Sequence, residues 1–120
     1  MVQEDYVMRM IKDMVRMIAK VLLRKDKISY NFPEDEADYS DDDNEYKDIV
    51  ACLESGDING AENMLYENFR TGDEGYILMG LDFYQRLNEY NGEYLEAHDY
   101  SREEIDDGLR MFSQKQGLTM

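Results

Sequence analysis

Residues 3–25, QEDYVMRMIKDMVRMIAKVLLRK, decide how this chain is read. Wound at about 100° per residue, they put Arg9, Lys12, Asp13, Arg16, Lys20 and Arg24 on one narrow arc. Val7, Met10, Ile11, Met14, Val15, Ile18, Val21 and Leu22 cover the rest. A helix resting on a core from one side needs a stripe only about 100° wide. The apolar arc here spans about half the circumference or more. The spacing therefore predicts a helix over 3–25 that is covered twice, by its own domain and by a second copy or a partner. Met8, Met10, Met14, Met17 and Val21 are the candidate interaction face. Methionine adapts its shape and suits apolar surfaces that bind.

Working outward, Pro33 stops any helix that would continue. Seven acids follow between Glu34 and Asp43. Like charges at that density repel, so 33–44 reads as a poorly ordered acidic connector anchored by Tyr30 and Phe32. Tyr46, Ile49, Val50 and Leu53 recur at helical spacing, predicting a helix over 45–55. Gly56 then stands where a glycine C-cap belongs and Asp57 where an N-cap does. The returning helix, 58–70, carries Ile58, Ala61, Met64, Leu65 and Phe69. A fourth helix spans 74–90, with Ile77, Leu81, Tyr84 and Leu87 on one face. Gly80 inside it points to a close helix crossing. Asn91-Gly92 is a stop, after which Tyr94 and Leu95 add at most a short turn. Ser101 and Glu104 form a capping box that opens the last helix, 102–115. The expected fold is all-α: about five helices in one compact bundle or short array.

The stretches QEDYVMRMIKDMVRMIAKVLL, LESGDINGAENMLYENF and LEAHDYSREEIDDGL, in that order, resemble a family of helical proteins from Firmicutes bacteria, the domain of unknown function DUF6483. The resemblance runs over nearly the whole chain except the acidic connector. It implies a helical fold and a bacterial origin, and it carries no activity. The hairpin around Leu53, Gly56, Ala61 and Leu65 also resembles one tetratricopeptide-type unit. Such units bind peptides when three or more stack.

Charge is unevenly spread. The net charge is −15, yet residues 1–28 hold seven basic and four acidic residues, or +3. Residues 29–120 hold six basic and 24 acidic residues, or −18. A body this acidic repels nucleic acid, so no nucleic-acid partner is expected. An acidic mimic of nucleic acid, filling a partner's basic groove, is the contrary reading. The first helix carries too many charges for a secretory signal or a membrane span. A cytoplasmic protein without integral membrane association is expected.

No motif marks chemistry. Ser55-Gly56-Asp57-Ile58-Asn59-Gly60 begins like a calcium loop, but Tyr66 stands where the loop needs its bidentate glutamate. Asp41-Asp42-Asp43 lacks the glycine and spacing of a cage. Cys52 and His98 are each single, which is too few ligands for zinc. They could act as a nucleophile pair only if the fold joined them, and Cys52 between Val50 and Leu53 reads as a buried thiol. No catalytic residue, metal or cofactor is therefore expected. Ten tyrosines and no tryptophan suit either a core edge or an aromatic groove. The expectation is a non-catalytic interaction module, binding a protein partner or itself through the first helix. An enzyme of unrecognised type is the alternative.

Overall fold

Each helix after the first begins where a short polar side chain precedes it. Ser40 accepts from the Asp43 amide at 3.1 Å, Asp57 from Gly60 at 2.9 Å and Asp73 from Tyr76 at 3.0 Å. Asn91 accepts from Tyr94 at 2.8 Å and Ser101 from Glu104 at 3.2 Å. Every one of these bonds satisfies an amide that has no partner within its own helix. The computed structural model describes residues 2–119, and the side chains of 4–119. It contains α1 (Val2–Ile18), α2 (Asp41–Glu54), α3 (Ile58–Glu67), α4 (Glu74–Glu89), α5 (Gly92–Ala97) and α6 (Arg102–Lys115). No strand occurs among the described residues, so the fold is all-α.

α4 is the central element. Ten of its residues are buried, including Tyr76, Ile77, Met79, Leu81, Phe83, Tyr84 and Leu87. α1 and α6 pack on α4 and on each other, and α2 reaches α4 while pairing with α3. The whole measures 44 × 32 × 24 Å. Gly80 lies at the crossing of α4 with α6, against the Phe112 ring. Phe112 in turn sits within 6.4 Å of the rings of Tyr66, Phe69, Tyr76 and Tyr84.

Several boundaries differ from the sequence reading, each for a local reason. The helix expected over 3–25 is regular only to Ile18 and continues as a π-turn, Ala19–Leu23. Arg24 closes it in the left-handed region, with φ of 58°. The amides of Arg24 and Lys25 bond back to Lys20 and Ala19 at 3.1 and 3.2 Å. The helix expected from residue 45 starts at Asp41 instead, because Ser40 and Asp43 form a reciprocal capping box. Three aspartates in that first turn also face the positive end of the helix dipole. So the last residues of the expected connector, 41–44, are helical. α3 stops at Glu67, short of residue 70, where Asn68 leaves helical backbone and its carbonyl accepts from Arg70 at 2.8 Å. The turn expected near Tyr94 is a six-residue helix, α5, capped by Asn91, and the expected count of about five corresponds to the longer helices among the described residues. The Gly56 turn is as expected: φ is +97°, and the Asp57 amide reaches back to Cys52 at 3.3 Å.

The segment ahead of α2 is pinned by aromatic rings. Tyr30 and Phe32 lie 4.7 and 5.9 Å from the buried Tyr46 ring, and Phe32 stacks on Tyr39 at 5.5 Å. The Tyr30 hydroxyl donates to Asp43 at 2.7 Å. Its amide donates to Asp82 on α4 at 3.2 Å.

Candidate interaction surface

The two side chains that an enzymatic reading would use are each engaged locally. Cys52 points its thiol at the Asp57 backbone carbonyl, 3.5 Å away. Burial, and then the Asp57 charge, push that thiol up from its ordinary pKa, which disfavours the reactive thiolate. His98 stacks on Tyr94 at 4.1 Å, and its Nδ1 lies 2.7 Å from the Tyr94 carbonyl. It also packs over the Gly56 turn, where an added Cβ would come within 2.8 Å of its ring. No group of three or more His, Cys, Asp and Glu side chains is placed to hold an ion among the described residues.

A shallow groove between α3 and α6 gathers the most unusual carboxylate. Glu62 accepts from the Tyr84 hydroxyl at 2.5 Å, and Tyr84 meets Tyr66 at 3.1 Å. Tyr66 also donates to the Gly108 carbonyl at 3.3 Å. Burial raises the Glu62 pKa from its ordinary value. The Gly108 position leaves room for both Glu62 and Tyr84 where a Cβ would crowd them. These groups satisfy one another and tie α3, α4 and α6 together. A second internal network joins α2 to α4, where Asp82 accepts from Tyr46 at 2.6 Å and Arg86 at 2.7 Å. A third centres on Arg102, which is 5% exposed and donates to Glu4, to Asn88 and to the Tyr90 carbonyl.

α1 behaves differently. Ile11, Met14, Val15, Ile18 and Ala19 are buried against α4 and α6. Of the expected interaction residues, Met14 therefore belongs to the core, at 6% exposure. Met17 and Val21 stand out at 41% and 54%, beside Tyr6 at 63%. Met10 is half-buried and lines a shallow groove with Tyr6, Arg9 and Asp13. Met17 lines another with Asp13, Arg16, Lys20 and Asp26. Met8 turns the other way, into a cleft of about 750 Å³ between α1 and α4 that includes Arg9, Lys12, Gln85 and Glu89. The outer side of α1 and of the π-turn that continues it thus carries Tyr6, Met10, Met17 and, on the turn, Val21, beside Arg9, Asp13, Arg16 and Lys20.

Sequence reasoning placed those cations on the polar arc and left them there. The ion pairs single them out. Lys47, Arg70, Arg86, Arg102 and Arg110, five of the six basic residues beyond residue 28, pair with carboxylates. None of the seven from Arg9 to Lys27 does so among the described residues, although acids outnumber bases by 28 to 13. The sixth, Lys115, lies over the Phe69 ring at 5.4 Å.

The model of a family described as a family of unknown function (DUF6483) matches residues 1–117, and the chain belongs to that family. No curated protein and no solved structure matches it. Among the described residues no helix is long and apolar enough to cross a membrane.

Proposed function

We propose, taking membership of that family as the premise, that this chain is a non-catalytic interaction module that meets an acidic protein surface through the outer side of α1. One observation carries the reading. Tyr6 and Met17 on α1 and Val21 on the π-turn that continues it are exposed apolar residues, next to cations that pair with no carboxylate among the described residues. Apolar anchors flanked by like charge give contact area and a sign preference together. Met111, at 53%, is the other large hydrophobic side chain left so exposed among the described residues, and it stands alone on α6.

The remaining parts of the reading fit a small bacterial cytoplasmic protein built as one domain. The α2–α3 hairpin is one tetratricopeptide-like unit, which suits a scaffold supporting α1 better than a peptide groove, since such grooves need stacked units. An enzymatic role has less support, because Cys52 and His98 are both turned to local backbone partners.

Methionine oxidation tests the proposal. Dilute purified chain and chain in native lysate are treated with peroxide, and the modified residues are read by mass spectrometry. Met17 becomes protected in lysate while Met111 stays reactive, and a Met17→Glu, Val21→Glu variant loses whatever partner the native chain holds. Equal oxidation of Met17 and Met111 in both settings overturns the reading.

A further inference from the structure

We infer that the occupant of the α1 surface is a second copy of this chain, which lays its acidic ridge, residues 34–41, along the cationic side of α1. The inference rests on the interaction reading above and names its partner. Charge complementarity is the first argument. Residues 1–28 carry +3 and residues 29–120 carry −18, so another identical chain offers α1 a surface of the opposite sign. The ridge is the densest part of that surface, with Glu34, Asp35, Glu36, Asp38 and Asp41 all exposed.

The ridge is also held in shape before any partner arrives. Phe32 and Tyr39 stack beneath it at 5.5 Å, Asp35 caps the Glu36–Asp38 turn through the Ala37 amide at 3.0 Å, and Ser40 caps α2. A preformed ridge loses little conformational freedom on binding. Within one chain the two features do not meet, for no ridge carboxylate pairs with Arg9, Lys12, Arg16 or Lys20. Glu36 pairs only with Lys47, at 3.2 Å. Both charges are therefore free to meet in trans. A two-fold arrangement uses each helix and each ridge once, which closes the assembly at two copies. Tyr6, Met10, Met17 and Val21 then lie in the centre of the contact, where apolar residues contribute most.

Charge exchange on the purified chain tests this. Light scattering at low salt reads a mass of two chains, which falls to one chain near ~0.5 M salt, where the screening length is only a few ångströms. An Arg9→Glu, Arg16→Glu, Lys20→Glu variant and a Glu34→Lys, Glu36→Lys, Asp38→Lys variant, whose ridge becomes net basic, are each expected to weaken self-association at least about tenfold, or ~1.4 kcal/mol. Both sets of side chains are on the surface, and an unchanged helical circular-dichroism spectrum with a cooperative melt at high dilution shows that the variants fold. Mixed, the two variants re-form a one-to-one pair, because each copy's altered surface then faces its opposite charge. A single mass at every salt concentration, or no recovery on mixing, overturns the inference. A monomer that still shows Met17 protected in lysate removes the second copy as partner and leaves the interaction reading standing.

Discussion

A methyl group on Gly80 would collide with the ring of Phe112, and that ring has nowhere to go. It is fully buried and walled by Tyr66, Phe69, Tyr76 and Tyr84. Gly80→Ala gains about 1 kcal/mol of helix propensity but forces overpacking that costs typically ~1–3 kcal/mol. With a ring this confined the cost wins, so a lower urea midpoint at unchanged slope is expected. A glycine inside an apolar helix was legible as a close crossing; that its neighbour is Phe112 was not, because 32 residues of chain separate them. Glu62 is the opposite case, invisible among 28 acids until the fold removes water from it. Its folded pKa is raised, so its favourable contribution is present below the ordinary carboxylate pKa and is lost as pH rises through the folded value. Glu62→Gln keeps an oxygen that accepts from Tyr84 and has no proton to lose. The variant's stability relative to the native chain therefore climbs as pH rises across that window and levels off above it. Parallel urea titrations from acid to neutral pH read this directly, and a flat difference would show that Glu62 is solvated. Met14 shows the same limit of sequence reading. An apolar arc was visible, but its inner edge was set by where α4 and α6 lie.

At the level of the helices, the start of α2 carries the most information. Ser40-Asp41-Asp42-Asp43 reads as a charge run, and like charges argue for an open chain. In the fold the same residues are a helix start: Ser40 and Asp43 bond reciprocally, and the helix dipole welcomes all three aspartates. The sequence rule for a capping box looks for Glu or Gln at the fourth position, which found Ser101–Glu104 and passed over Ser40–Asp43. Removing Ser40 separates the two readings. Ser40→Ala deletes the hydroxyl that accepts from the Asp43 amide and should cost about 1 kcal/mol, in the usual range for N-caps. It should also lower the helical signal slightly as the first turn frays. No change in either would mean that the aromatic contacts of Tyr30, Phe32 and Tyr39 hold the segment unaided. α1 was the easiest helix to find, through its period, and the hardest to end. The π-turn over Ala19–Leu23 depends on backbone bonds to Arg24 and Lys25 that no side-chain pattern announces. α5 was nearly missed because six residues hold too few repeats for a period to show.

For the molecule as a whole, the −15 charge sets two opposing responses to salt. Self-repulsion of so acidic a chain destabilises the compact state, and salt screens it. Several ion pairs that salt would weaken are at least partly exposed, such as Lys47–Glu36 and Arg110–Asp106, and exposed pairs contribute little. A lone chain should therefore melt at higher temperature as salt rises. A pair held by α1 and the acidic ridge behaves in the reverse sense, because association stabilises the folded state by mass action and salt dissolves the pair. Protein concentration tells the two apart. At high dilution the melting temperature should climb steadily with salt. At high concentration it should start higher in low salt, dip as the pairs separate, and then join the dilute curve. Melting curves over a grid of both variables measure this. Curves that coincide at every concentration would leave self-repulsion as the only salt effect and assign the cations of α1 to a different acidic partner. The charge imbalance behind both responses was legible in the sequence. What was not legible is that the cations on α1 find no carboxylate partner among the described residues, a property of where the helices come to rest.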